Sequence, residues 1–248
     1  MIDVDEVFLV PDSPAAPIQE PSRRGIRTIV IPLMEEHIRH CPRQYLSLIP
    51  DELSLVTLGN KAAFAAYAEA SGLAHLCPKT YANIDEAVFP CVLKRVDLNA
   101  GYGVTIVRSP LEVKWHLQDF PWYWRHAILQ SLTAGSTEYV THCICKGGQI
   151  LWHCSFAYEM DSPERIRTPF HMDRSRPATT PAFILSQIEK FLLPLAFTGP
   201  CNVDYKISDG GNIVVFEINP RLGGSLMMPR NVDQLSGALS HLINAALG

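Results

Sequence analysis

The 248-residue sequence has no apolar run near the ~18 residues that a membrane-spanning helix requires. Its opening, MIDVDEVFLVPDSP, has no positively charged segment ahead of an apolar one, so it does not read as a secretory signal. It has no basic excess either: 21 Lys and Arg face 25 Asp and Glu, a net charge of −4, which gives no global field for nucleic acid. It lacks Cys-x-x-Cys pairs, and its seven cysteines are scattered and odd in number. That argues for reduced thiols in a cytoplasmic protein rather than a disulfide framework. Repeats and low-complexity segments are also missing. What remains is an ordinary globular composition, 47% hydrophobic and 19% charged, in a chain long enough for one large domain or two small ones.

Residues 1–58 form the least regular part. Val7–Val10 and Ile29–Ile31 read as short buried strands, with a Pro/Ser/Ala-rich loop from Pro11 to Ser22 between them, and Glu35–Cys41 reads as a helix stopped before Pro42. Asn60 caps an alanine-rich helix from Lys61 that ends at Gly72. Phe89–Val96 and Val104–Val107 read as strands around the loop 97–103, and Pro110 opens a helix. Ala127–Leu132, Tyr139–Cys145 and Ile150–Tyr158 read as strands, the last two joined by a Gly147-Gly148 turn. Asp161–Pro181 is a long polar connection rich in arginine. Ala182–Phe197 and Asp233–Leu247 have helical spacing. Cys143 and Cys145 share a strand face, as buried cysteines or as the start of a metal site. His37, His40 and Cys41 share a helix face, with no second ligand cluster to complete a site.

Asn202–Arg221, NVDYKISDGGNIVVFEINPR, is the most informative stretch. Gly210-Gly211, flanked by Asp209 and Asn212, suits a two-residue hairpin loop. With that turn Asp204 faces Glu217 and Asn202 faces Asn219. Strand alternation puts Val203, Tyr205, Ile207, Val214, Phe216 and Ile218 on a core face, and Asp204, Lys206, Glu217 and Asn219 on the other. Two facing carboxylates repel unless a cation sits between them, and oxygen ligands of this kind suit Mg²⁺. A charged, solvated hairpin face is the alternative reading.

Together with three upstream segments, this hairpin resembles the ATP-grasp superfamily of ATP-dependent ligases. The closest flavour is that of the carbamoyl-phosphate synthase large chain and biotin carboxylase, over roughly Leu58–Leu226. The resemblance implies an α+β fold in which two subdomains sandwich ATP: a reduced pre-ATP-grasp segment at 1–58, a small lid subdomain at 59–126 and a large subdomain at 127–248. Lys61 at a helix start matches a phosphate-contacting lysine. Lys94 and the loop with Gly101 and Gly103 match a strand lysine and a phosphate loop, whose glycines let backbone N–H groups approach phosphate oxygens. The Walker-type loop is absent. Gln130 to Leu132 match the hinge that binds adenine, with glutamine where many relatives carry glutamate. Glu138 matches the ribose-binding glutamate, one residue later than usual after Gly135. Asp204, Glu217 and Asn219 match the metal ligands, and Arg221 matches the catalytic arginine of Glu-x-Asn-Pro-Arg.

The function implied is ATP-dependent joining of a small-molecule carboxylate to an amine through an acyl phosphate, with ATP and Mg²⁺ (or Mn²⁺) as cofactors and neither nucleic acid nor membrane as partner. Two other readings stay open: a bicarbonate-using carboxylase or carbamoyl-phosphate-type enzyme, and a nucleotide-binding regulatory protein without turnover. Relatives usually begin with a full α/β domain; here it is expected to be reduced, to be truncated, or to be completed by a homodimer partner. Arg165, Arg167, Arg174 and Arg176 are candidates for an anionic substrate, or a solvated basic loop.

Overall fold

The protein is described by a computed structural model over residues 27–98, 101–168 and 174–248. The strand and loop expected within residues 7–22 lie outside the described residues. In chain order the elements are α1 (Glu35–Arg39), α2 (Glu52–Gly59), α3 (Lys61–Ala70), β1 (Thr80–Tyr81), β2 (Cys91–Arg95), β3 (Val104–Val107), α4 (Pro110–Asp119), α5 (Pro121–Trp124), β4 (Ala127–Ser131), β5 (Thr137–Lys146), β6 (Gln149–Glu159), β7 (Ser175–Ala178), α6 (Ala182–Leu192), β8 (Gly199–Ile207), β9 (Ile213–Asn219) and α7 (Val232–Leu247).

The strands form two sheets, ordered β1-β4-β2-β3 and β7-β6-β5-β8-β9, with every paired neighbour antiparallel. The four-stranded sheet packs Leu93, Val107 and Leu129 against Val113 of α4 and Trp124 of α5. The five-stranded sheet is covered on both faces. Cys143, Val203, Tyr205 and Ile218 meet Phe64 of α3 and Ile184, Ile188 and Phe191 of α6. Val140, Ile144, Phe156 and Tyr158 meet Ala238 and Leu242 of α7. Cys143 and Cys145 are therefore core residues, and all seven cysteines are free thiols. Helix α3 joins the core of the larger sheet, so Lys61 at its first turn stands at the rim of that sheet.

Local sequence explains most boundaries. The Asn60 side chain accepts from Ala62 N at 3.0 Å and Ala63 N at 3.1 Å, which caps α3. The far end closes as a Schellman motif: Gly72 takes φ +71°, and Leu73 N donates to Ala68 O at 2.7 Å.

Ile29–Ile31 is not a buried strand, Ile29 making only an isolated bridge to Leu46, and four further expectations need correction. The helix from Ala182 stops at Leu192, because Pro194 has no N–H to continue it, and the chain turns through a 3₁₀ segment with Ala196 at φ +44°. The long connection contains a strand, β7, which pairs with Ser155–Tyr158. Its Arg176-Pro177 reads as loop, but at a sheet edge proline costs no ladder bond. The hairpin loop holds three residues, Asp209 to Gly211: Ser208 N donates to Asn212 O, Gly211 N donates to Ser208 O, each at 2.8 Å, and Gly211 has φ +79°. The register near the turn is therefore Tyr205↔Val215 and Ile207↔Ile213. A β-bulge at Phe216 then restores Asp204↔Glu217 and Asn202↔Asn219. Ile213 and Val215 enter the core in place of Val214 and Phe216.

Candidate functional site

A cleft open to solvent lies between the two sheets. The larger sheet contributes Asp204, Lys206, Phe216 and Glu217. The smaller contributes Val92, Lys94 and Val104. Lys61, Gly101, Ser131 to Thr133, Glu138 and Arg165 to Arg167 complete the lining. Both Phe216 and Glu217 face the cleft because the bulge puts two consecutive residues on one side of β9.

Charged side chains organise the floor. Lys61 Nζ lies 3.0 Å from Glu217 Oε2 and also donates to Leu98 O. Asn219 Nδ2 lies 3.2 Å from Glu217 Oε1, 3.3 Å from Asp204 Oδ2 and 3.3 Å from Asn202 Oδ1, so one amide gathers the three. Arg167 bridges Glu138, at 3.1 Å, and Asp204. Lys94 stands over the Phe216 ring, 5.2 Å from its centroid. Lys206 Nζ donates to Thr133 O at 3.2 Å.

Burial makes these pairings costly to disturb. Burial lowers the Lys94 pKa to about 8, with Lys61 adding to the fall and Glu217 and Glu138 opposing it. Burial pushes the Asp204 carboxyl up to about 7 against the pull of Arg167, with Glu217 and Glu138 reinforcing the rise. Burial is the largest influence on Glu217 too and acts to raise it, but Lys61, Asn219 and Lys94 together outweigh it and hold this carboxyl below the usual range. The two facing carboxylates are thus driven apart in acidity, each with its own cation.

The structure brings Lys61, Lys94, Gly101, Leu132, Glu138, Asp204 and Glu217 to one cleft. Asn219 sits behind the two carboxylates it bonds. Gly103 lies off the lining, at φ +64° beside Arg95 and Leu98, and shapes the loop that presents Gly101. Gln130 is buried beside the cleft: its Nε2 donates to Thr80 Oγ1 at 3.0 Å, while its Oε1 takes no hydrogen bond among the described residues. Arg221 is also off the lining. Its Nε stands 3.6 Å from Glu35 Oε1, too far for a hydrogen bond, and its Nη1 donates to Leu222 O at 3.1 Å. Of the four arginines of the connection, Arg165 and Arg167 reach the cleft, whereas Arg174 and Arg176 make exposed pairs with Asp161 and Glu159. No group of three or more His, Cys, Asp or Glu able to hold a metal occurs among the described residues; the candidate ligand set counts an amide as its third member.

Sequence reading gave no role to Asn202, Lys206 or Phe216. Strand alternation did place Asn202 and Lys206 on the face of Asp204, but nothing in the sequence announces the bulge that turns Phe216 inward.

No family model matches the sequence, and no curated protein matches it. Solved structures do. Phosphoribosylamine–glycine ligase from Thermotoga maritima superposes with a TM-score of 0.63 at 14% identity, over 90% of this chain and 63% of that one. D-alanine–D-alanine ligase from Bacillus anthracis gives 0.57 at 20% identity, over 81% and 71%, and has also been solved with ATP. The biotin carboxylase domain of 2-oxoglutarate carboxylase from Hydrogenobacter thermophilus, solved as a dimer with MgADP and bicarbonate, gives 0.54 at 14% identity, over 78% and 47%. The chain has the ATP-grasp fold. It spans less than half of the carboxylase domain and about two-thirds of the two ligases. In the ATP-grasp fold seen here, the cleft lies between the two sheets, and the Asp204–Glu217 hairpin forms its floor. Among the described residues no helix is long and apolar enough to cross a membrane.

Proposed function

We propose that the protein is an ATP-dependent ligase that joins a carboxylate to an amine. The observation that carries this reading is the cleft itself, where Lys61, Lys94 and a glycine loop converge on two facing carboxylates and an amide. The residues fit a nucleotide and a divalent cation. Val92, Val104, Leu132 and Phe216 give apolar walls for a purine, and the unbonded Oε1 of Gln130 awaits a donor beside them. Asp204 and Glu217 present hard oxygen atoms within 3.3 Å of one point, the Asn219 amide nitrogen, and a rotated Asn219 amide would add its own oxygen. Asp204, Glu217 and Asn219 would hold Mg²⁺, which would supply positive charge to offset that of the phosphates.

In the reaction, a substrate carboxylate attacks the γ-phosphate, forming an acyl phosphate and releasing ADP. An amine then forms the C–N bond as the C–O bond to phosphate breaks. The chain's work is positioning and charge neutralisation. Lys61, at the start of α3 beside the larger sheet, and Lys94, on β2 of the smaller sheet, neutralise the phosphates from two sides, and Gly101 lets the loop backbone approach them. Arg221, which matches the catalytic arginine, would hold the acyl phosphate only after turning from Glu35 toward the cleft. The seven free thiols support a cytoplasmic setting. A nucleotide-binding protein without turnover is the second reading, favoured by one observation: Arg221 faces Glu35 rather than the cleft.

The test is a screen of carboxylate and amine pairs for ADP release with Mg²⁺, with products read by mass spectrometry. Glu217→Gln is expected to lower turnover by about 10–100-fold or more. Turnover equal to wild type in that variant refutes the assignment of the site. ADP binding with no product from any pair supports the second reading.

A further inference from the structure

Arg167 comes into the cleft from the connection between β6 and β7, and both its ends are held. Its guanidinium bridges Glu138, at 3.1 Å, and Asp204, and lies 4.7 Å from the centroid of the Tyr158 ring. Its backbone is fixed as firmly. The Arg167 carbonyl lies so close to Gly101 that a β-carbon there would be 2.5 Å away. Pro163 O accepts from Gly135 N at 3.0 Å and Lys206 Nζ at 3.4 Å, and Glu164 pairs with Arg108 at 2.8 Å.

The consequence concerns Asp204. One of its oxygens accepts from Arg167, and the other faces the Asn219 amide. An amide can rotate its own oxygen toward a metal, but a guanidinium has no acceptor and competes with any cation for the same lone pairs. The cleft is also positively charged before any metal enters: Lys61, Lys94, Arg165, Arg167 and Lys206 stand against Glu138, Asp204 and Glu217. A bare divalent cation would add to that excess. A nucleotide changes both conditions, because its phosphates cancel the excess and offer a guanidinium better acceptors than one shared carboxylate.

We propose that Arg167 is the resident counter-ion of Asp204 and couples metal to nucleotide. It withholds Asp204 from a divalent cation alone and releases it when phosphates take the guanidinium, so the two ligands bind cooperatively. This rests on the nucleotide-binding reading above and adds to it the dependence of each ligand on the other.

Mn²⁺ is the probe, with free ion counted by electron paramagnetic resonance, with and without ADP, for wild type, Arg167→Met and Arg167→Lys. Mn–ADP chelation in solution is common to all three and cancels in the comparison. In wild type, ADP should tighten Mn²⁺ binding about 5–150-fold. Arg167→Met should bind Mn²⁺ alone about tenfold more tightly than wild type and lose most of the ADP effect, because the competing charge is gone. Arg167→Lys keeps the charge without the fork and should fall between them. Mn²⁺ affinity in Arg167→Met equal to or below that of wild type, or an undiminished ADP effect, overturns the proposal. Calorimetry of ADP in the presence of saturating Mg²⁺ separates the two levels: no ADP binding to wild type overturns the nucleotide reading along with this one. ADP binding with an unchanged metal response overturns this one alone.

Discussion

Replacing Lys61 with Met keeps the length of the side chain and removes its charge. Lys61 is 9% exposed and its partner Glu217 17%, so the pair is largely withdrawn from water. Breaking a buried pair by deleting one member costs about 3–5 kcal/mol, because the remaining charge keeps its desolvation penalty. Two features place this site at the low end. Asn219 still donates to Glu217 at 3.2 Å, and Lys94 still attracts it. The expectation for Lys61→Met is therefore a loss of about 3 kcal/mol. The double variant Lys61→Met/Glu217→Gln leaves no orphaned charge and should recover about 1–3 kcal/mol, the usual coupling for contacting residues. The pH dependence has a definite sign. The Glu217 pKa is depressed below 4.5, so its contribution is complete above that value and is lost as pH falls through the folded-state pKa. The gap between wild type and Lys61→Met should be full at neutral pH and close on acidification. Urea unfolding with an unchanged m-value measures each quantity. A single variant within ~0.5 kcal/mol of wild type refutes the reasoning, as does a double variant as unstable as the sum of both singles.

Three further outcomes follow from the same geometry. Lys94 titrates at about 8, so in wild type ADP affinity measured by calorimetry should fall as pH rises through that value. Lys94→Met should bind ADP about 10–100-fold more weakly and without that pH dependence, the loss expected for one charge-assisted bond. His142 is buried, bonds Ser225 Oγ through Nε2 at 2.8 Å, and has its pKa lowered by burial from 6.5 to about 3. The unfolded chain gains a proton first, so stability should fall by about 1.4 kcal/mol per pH unit below 6.5, and His142→Gln should remove that slope from urea titrations. Gly223 has φ −92°, so alanine meets no conformational penalty, but its β-carbon would lie 2.4 Å from His142 Cε1 and 2.9 Å from Asn202 Cγ. Gly223→Ala should cost about 1–3 kcal/mol by thermal unfolding, with lowered ADP release because Asn202 supports Asn219.

The parts of the fold legible in the sequence are those whose signals are local. Asn60 and Gly72 bound α3 through a cap and a left-handed stop, and both act within a few residues. The β5–β6 turn at Gly147-Gly148 is equally local. β7 is different: nothing in Ser175–Ala178 resembles a strand, and it forms only because the edge of β6 is there to pair with. Arg167 shows the same limit in the site. Four arginines on one connection look alike in sequence, yet Arg174 and Arg176 end on the surface while Arg167 lies across Asp204 and Glu138. Which of them enters is decided by backbone packing against Gly101, which is distant in sequence.

The Asp204–Glu217 pairing holds for a reason different from the one the sequence suggests. A two-residue turn would align them directly. The actual three-residue loop shifts the register by one, which alone would turn Glu217 away from the cleft. The bulge at Phe216 shifts it back. The extra residue is not idle, since it delivers an aromatic ring to the cleft wall beneath Lys94 while Val215 and Ile218 keep their places in the core. A straight ladder allows one inward residue at a time. The bulge allows two in succession, so β9 presents an apolar surface and a carboxylate side by side, which suits the site proposed here for a purine and its phosphates. The carboxylate pair is thus less a product of the turn than of a strand irregularity, and that irregularity is itself part of the site.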